Sequence, residues 1–434
     1  MIALDPETGK ERWRHDPRID RTRRYAEAAA RGVSVWEDLT PASKVPCLRR
    51  IFTGTLDARL IALDATTGQP CADFGTNGVV DLTQGIRIRD RGDYTITSPP
   101  AVLNNVVIVG SAVGDNRATD VERGVIRAFD AITGAQKWAF DPLPDSPTHP
   151  AAAAWNLSQA LATGAGNSWA PMSVDPDKGV VFVPTGSASP DFYGGKRVGD
   201  NRFANSLLAL DANTGQIRWY QQLVHHDLWD YDLASQPALI EMERRGTPIS
   251  AVIQATKNGM LFLFDRDTGK PALDDPPSRW FPRAIRPAKR LRRRSRSRRF
   301  PRWSSTVRSA STTRGASRSG IAASAGISSA IIATKAFSTP PDSRGTIMRP
   351  SNLGGMNWGG IAYDARSQRV LAVVNHLRCS SRCSHLPKWK SSARPGTTRG
   401  LSSLISEARP TPCGVRRCFR RGASRARRRP GAPW

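Results

Sequence analysis

Short apolar runs, bounded by Gly, Asp, Asn and Pro, recur along residues 1–275. Their length and turn-rich borders predict strands rather than helices. One hairpin unit repeats, as IALDPETGKERW (Ile2–Trp13), IALDATTGQPCADF (Ile61–Phe74), RAFDAITGAQKW (Arg127–Trp138), LALDANTGQIRW (Leu208–Trp219) and LFLFDRDTGK (Leu261–Lys270), with a weaker echo in IAYDARSQRV (Ile361–Val370). An apolar strand ends at the Asp. The Asp side chain then caps backbone amides of a tight turn, and Gly takes the positive φ that the turn needs. A second strand follows and, in three units, delivers a Trp inward.

Successive Asp residues of the repeat lie 59, 66, 81 and 54 positions apart. A minimal propeller blade takes about 40–50 residues, so these spacings predict four-stranded blades with large loops. Long loops on one face of a propeller are where sites are built. Further strands are expected at Arg50–Thr53, Ala101–Gly110, Val180–Asp191 and on both sides of the Lys257-Asn258-Gly259 turn. Met1 falls inside a unit with no earlier strand to pair with, so a chain truncated at its N-terminus is expected.

The 434-residue chain carries a formal charge of +27, which by itself suggests nucleic acid or anionic membrane. The charge is not spread evenly. Pro276–Pro341 holds fourteen Arg and two Lys with no acid, and Arg378–Trp434 holds thirteen Arg and two Lys against Glu407 alone. The remainder is close to neutral. The domain reading is therefore blades at 1–275, an Arg/Ser-rich segment at 276–336, a further blade segment at 337–375, and an Arg-rich tail at 376–434, both basic blocks being disordered or out of frame. Cys379, Cys383, Cys413 and Cys418 match no zinc spacing. Cys47 and Cys71 flank one hairpin and suit either a disulfide or two thiols. No apolar run reaches the roughly 18 residues needed to span a bilayer.

The chemistry concentrates in VHHDLWDYD. His225, His226, Asp227, Asp230 and Asp232 alternate there with Trp229 and Tyr231, and Lys257 closes the apolar run Ile249–Thr256. Aromatic walls exclude water and perturb carboxylates, so these acids are candidates for a metal ligand or general base. A surface loop with scattered acids gives a similar pattern.

HHDLWDYD, NSWAPMS, RGVS, LDARLIALDATTGQPCADFG, GVIRAFDAITG, IQATKNG and GGMNWGGIAYD, taken in order, resemble the membrane-bound quinoprotein dehydrogenases that use pyrroloquinoline quinone (PQQ), the glucose/quinate/shikimate group above all. The resemblance covers Met1–Asp275 and Phe337–Asn375. It implies an all-β fold, an eight-bladed β-propeller incomplete in this chain and held by tryptophan-docking turns. By the same resemblance Asp230 is the catalytic carboxylate and the best metal ligand. Trp169 is the floor under PQQ, and Lys257 hydrogen-bonds the quinone oxygens. Asp115, Asn116 and Ser189 lie near the cofactor, while Asn352 and Trp358 close the pocket. The implied cofactors are PQQ and Ca²⁺ or Mg²⁺. The implied partners are an alcohol or sugar substrate, glucose foremost, and membrane ubiquinone, with no nucleic acid. The implied location is the periplasmic face of the bacterial inner membrane, reached in the family through an N-terminal helical anchor that is expected to be missing here. A blade-core Trp169 and a solvated Lys257 are the plain alternatives.

The chain departs from the family in three ways. Glu27 stands near a family His, Ser187 replaces a frequent Asn, and the two basic blocks replace ordinary propeller sequence, as two frame disruptions in a GC-rich gene would produce. The rival for those blocks is an Arg-rich, phosphate-binding arm. A non-catalytic propeller scaffold, or an inactive fragment, is the alternative to the enzyme.

Overall fold

A computed structural model describes residues 1–38, 45–244, 246–272, 346–348, 350–375, 378–383 and 413–419. The predicted Arg-rich segment 276–336 lies outside them. Three four-stranded antiparallel meanders follow one another. They are Ser34–Glu37, Arg49–Gly54, Arg59–Asp64 and Val79–Asp81; Ala101–Leu103, Val106–Val109, Ile126–Asp130 and Gln136–Phe140; then Ser173–Asp175, Val180–Pro184, Ser206–Asp211 and Ile217–Gln222. A three-stranded sheet, Ala238–Arg244, Thr247–Ala255 and Leu261–Asp265, comes next. Hairpins Ile2–Leu4/Glu11–Arg14 and Ile361–Asp364/Arg369–Ala372 flank this series. The first strands of the four sheets touch in succession, which sets the sheets as blades around a common axis. The described residues form an incomplete propeller, with cores between neighbouring blades that include Ile108, Val181 and Leu208.

The tail, read from sequence as disordered or out of frame, holds two described strands. Arg378–Cys383 pairs antiparallel with Thr346–Met348 and with Cys413–Phe419. Both tail strands are short runs without Pro, which leaves their amides free to pair.

The repeat makes its turn as its chemistry requires. Asp64 Oδ1 accepts from the Thr66 and Thr67 amides at 2.9 and 2.8 Å and from the Thr67 hydroxyl at 3.1 Å. Asp130, Asp211 and Asp265 repeat the pattern. The indoles, however, reach past their own blade. Trp13 Nε1 donates to Ala65 O at 3.0 Å, Trp138 Nε1 to Ala212 O at 2.9 Å and Trp219 Nε1 to Arg266 O at 2.9 Å. Each ring lies on the turn glycine of the next unit. A Cβ on Gly68, Gly215 or Gly269 would stand 2.4–2.6 Å from the indole, and all three have φ between +66° and +72°. The repeat therefore needs Gly twice over, for the turn and for the neighbour's ring.

One joint is built differently. The second unit has Ala72 at the Trp position, Gly75 and Val80 lie against Gly134 of the next unit, and Cys47 and Cys71 form a disulfide within this blade. Buried Arg50 donates to Ile132 O of the next blade at 2.9 Å, and Gly75 N donates to Thr133 O at 2.9 Å.

Trp219→Ala removes a buried indole and its hydrogen bond at one joint. The expected loss is about 3–5 kcal/mol, read as a lower urea midpoint. An unchanged midpoint would mean that docking does not hold the blades.

Candidate active site

The segment His225–Asp232 is a compact buried turn organised by Asp227. Its carboxylate accepts from the Trp229 and Tyr231 amides at 3.1 and 2.8 Å and from the Ser187 hydroxyl. This puts Asp230 at φ +60°, a left-handed conformation that Asp tolerates better than most residues. Asp230 and Asp232, two positions apart, both reach Lys257. Its Nζ lies 2.6 Å from Asp230 Oδ1 and 2.8 Å from Asp232 Oδ2. Asp232 also accepts from Trp169 Nε1 at 3.0 Å and from the Ser187 amide at 2.7 Å.

Lys257 is buried, so the solvated alternative fails. The Asp232 carbonyl accepts its amide at 3.2 Å, and its own carbonyl accepts from Gly355 N at 2.7 Å. A Cβ on Gly354 would sit 2.7 Å from Lys257 Cγ, which explains the paired glycines of SNLGG.

These side chains open on a cavity of about 210 Å³ whose wall includes Glu27, Asp115, Asn116, Trp169, Asp230, Asp232 and Lys257. Lys257 Nζ stands 5.6 Å from the Trp169 ring centre, and the Arg31 guanidinium 4.9 Å from it. On the inner side, Asn116 donates to Asp191 Oδ2 at 2.6 Å. Asp191 Oδ1 and Asn352 Oδ1 are buried with no hydrogen-bond partner among the described residues.

The charges do not balance. Burial, and then the other acids, push Asp191 well above the ordinary carboxylate range. Burial does the same to Asp230 despite the adjacent ammonium. Burial chiefly, with Asp232 second, holds Asp115 at about 7. Burial also opposes ionisation of Asp232, but Lys257, the Ser187 amide and Trp169 outweigh it and keep that acid low. Lys257 itself is held above its usual value, because the two acids outweigh its burial. One ammonium thus serves a group of acids that repel one another.

This donor set fits the groups implied by the sequence. A broad indole face with the Lys257 ammonium beside it suits a flat ligand that carries hydrogen-bonding oxygens. Surplus carboxylates and two unpartnered buried oxygens suit a hard divalent ion.

The blades define the fold class, a β-propeller, and the acid–lysine–indole cavity lies where its loops converge. The sequence profile described as PQQ: glucose/ethanol/alcohol dehydrogenase, β-propeller domain, matches residues 1–427, and the chain belongs to that family. It is 35% identical over 399 residues to a quinate/shikimate dehydrogenase (quinone) of Acinetobacter baylyi, covering 87% of this chain and 48% of that protein. It is 30% identical over 431 residues to quinoprotein glucose dehydrogenase A of Acinetobacter calcoaceticus, covering 96% and 53%. The quinohemoprotein alcohol dehydrogenase of Comamonas testosteroni superposes with a TM-score of 0.61 at 26% identity, over 88% of this chain and 50% of that one. The chain thus spans about half the length of the curated relatives it matches.

Of the residues singled out from sequence, Asp230, Trp169, Lys257, Asp115 and Asn116 meet at the cavity. Asn352 Nδ2 stands 3.5 Å from Asp230 Oδ2. Trp358 is 58% exposed with its ring 5.8 Å from the Arg31 guanidinium, so it lies at the rim. The Ser189 hydroxyl points to the carbonyls of Asp115 and Ala118, where it braces the loop that carries Asp115. Asp191 and Arg31 were given no role by the sequence reading, and Asp232 was a candidate only as one acid of the VHHDLWDYD cluster.

Asp115 is protonated more readily when folded than when unfolded. Its contribution to stability is present below about pH 4 and is lost as pH rises through about 7. Metal-free protein should therefore melt at a higher temperature at pH 5 than at pH 8, and Asp115→Asn should flatten the difference. Identical slopes for the two proteins would contradict this assignment.

Proposed function

We propose that this chain carries the oxidising centre of a PQQ-dependent dehydrogenase. It acts on the CH–OH group of a sugar, polyol or cyclic hydroxy acid, with glucose the foremost substrate. The observation that carries the reading is Lys257 bridging Asp230 and Asp232 beside Trp169 in one cavity.

PQQ, when bound, would supply a two-electron acceptor for the hydrogen of the alcohol carbon, leaving as hydride, and Ca²⁺ or Mg²⁺ would supply Lewis acidity beside it. Trp169 supplies the flat apolar floor, with the Glu27-paired guanidinium of Arg31 4.9 Å from its ring centre. Lys257 presents an ammonium fixed by two carboxylates, suited to hold a quinone oxygen and favour developing negative charge. Asp230 accepts the hydroxyl proton of the substrate. Burial raises its proton affinity and Lys257 keeps it within reach of ionisation, a combination suited to a general base. Asp191, Asp115 and Asn352 offer oxygen ligands near Asp230, which is itself the first candidate for the metal. The product is a ketone or lactone. The electrons pass to ubiquinone at the periplasmic face of the inner membrane, an assignment that rests on family resemblance alone.

Purified protein mixed with PQQ and Ca²⁺ should bleach a redox dye when glucose, quinate or glycerol is added. Asp230→Asn should lower kcat by about 10²–10⁴ while PQQ still quenches tryptophan fluorescence. No bleaching with any alcohol would support a binding scaffold instead.

A further inference from the structure

The entrance of the cavity differs chemically from its floor. Segment 25–31 forms part of the entrance, fixed by the Ala26 amide on Gly92 O at 2.7 Å and the Arg31 amide on Thr97 O at 2.9 Å. Between these anchors Glu27 joins the cavity wall, with 41% of its side chain exposed. It is close enough to Asp115 to raise the proton affinity of that acid.

Among the described residues, every cation that borders the cavity already has a carboxylate partner. Arg31 is paired with Glu27 at 3.2 Å, Arg117 with Asp93, and Lys257 with Asp230 and Asp232. A substrate carboxylate entering here meets no unmatched positive charge, and it meets Glu27 first. A hydroxyl, in contrast, can donate to the Glu27 oxygens.

We propose that Glu27 is a specificity-determining residue, which makes this site select neutral sugars and polyols over hydroxy-carboxylates. The inference rests on the dehydrogenase reading above and gives it a substrate class. Overall likeness does not supply it, since identity to the quinate/shikimate enzyme, at 35%, exceeds that to the glucose enzyme, at 30%. Glu27 works twice. It occupies the Arg31 guanidinium that would otherwise receive an anion, and it repels that anion directly.

The test uses the full chain loaded with PQQ and Ca²⁺, titrated calorimetrically with glucose and with quinate, and followed in parallel by dye reduction. In Glu27→Gln, quinate binding should gain about tenfold relative to glucose, and Glu27→Asp, which keeps the charge, should retain the original preference. Added salt should strengthen quinate binding to the unmodified protein and leave glucose binding unaffected, because screening acts only on the charged ligand. An unchanged glucose-to-quinate ratio in Glu27→Gln would overturn the proposal. A shifted binding ratio with no dye reduction by any of the proteins would support selection at Glu27 and overturn the dehydrogenase reading.

Discussion

A single buried ammonium, that of Lys257, lies between Asp230 and Asp232, and the rest of the site is arranged to keep it there. Desolvating a lysine is costly unless its charge is matched and its hydrogens are bonded. Two carboxylates at 2.6 and 2.8 Å meet that requirement. They in turn are fixed by Asp227, whose side chain turns the backbone at residues 229–231, and by Ser187 and Trp169. The glycine pair at 354–355 lets a distant segment close over the lysine. Breaking any one of these leaves a buried charge exposed to its own desolvation penalty.

The blades bring these segments to one place. Lys257 lies in the turn between two strands of one blade, Trp169 precedes the first strand of the blade before it, and Asp115 follows the last strand of a short pair one blade earlier. Such loops converge only if neighbouring sheets keep a fixed angle. Indoles pressed on the turn glycines of the next blade set that angle at three joints, and Arg50 with the Gly75 amide serves a fourth. The surplus of carboxylates at the centre is the other side of this rigidity. Acids that repel one another are held together by the scaffold, which leaves them ready to receive a cation.

The Asp-x-x-Thr-Gly turns could be read from sequence because their chemistry is local, with each Asp bonding amides two or three residues on. Asp230, Trp169 and Lys257 were legible through their motifs. The destination of each Trp was not, since Trp138 meets Ala212 74 residues away. Asp191 was missed for the same reason, as its partner Asn116 lies 75 positions earlier. Whether Cys47 and Cys71 pair depends on how the strands bring them together, which spacing alone leaves open. The tail strands at 378–383 and 413–419 were hidden by an Arg- and Ser-rich composition that shows no alternation.

A structure of the protein with PQQ bound tests the central claim most directly. The quinone plane should lie flat against the Trp169 ring, with Lys257 Nζ at hydrogen-bond distance, about 3 Å, from a quinone oxygen and the Asp230 carboxylate still within reach of Lys257. A cofactor seated elsewhere, or Asp230 swung away from Lys257 and from the ring, would contradict the account.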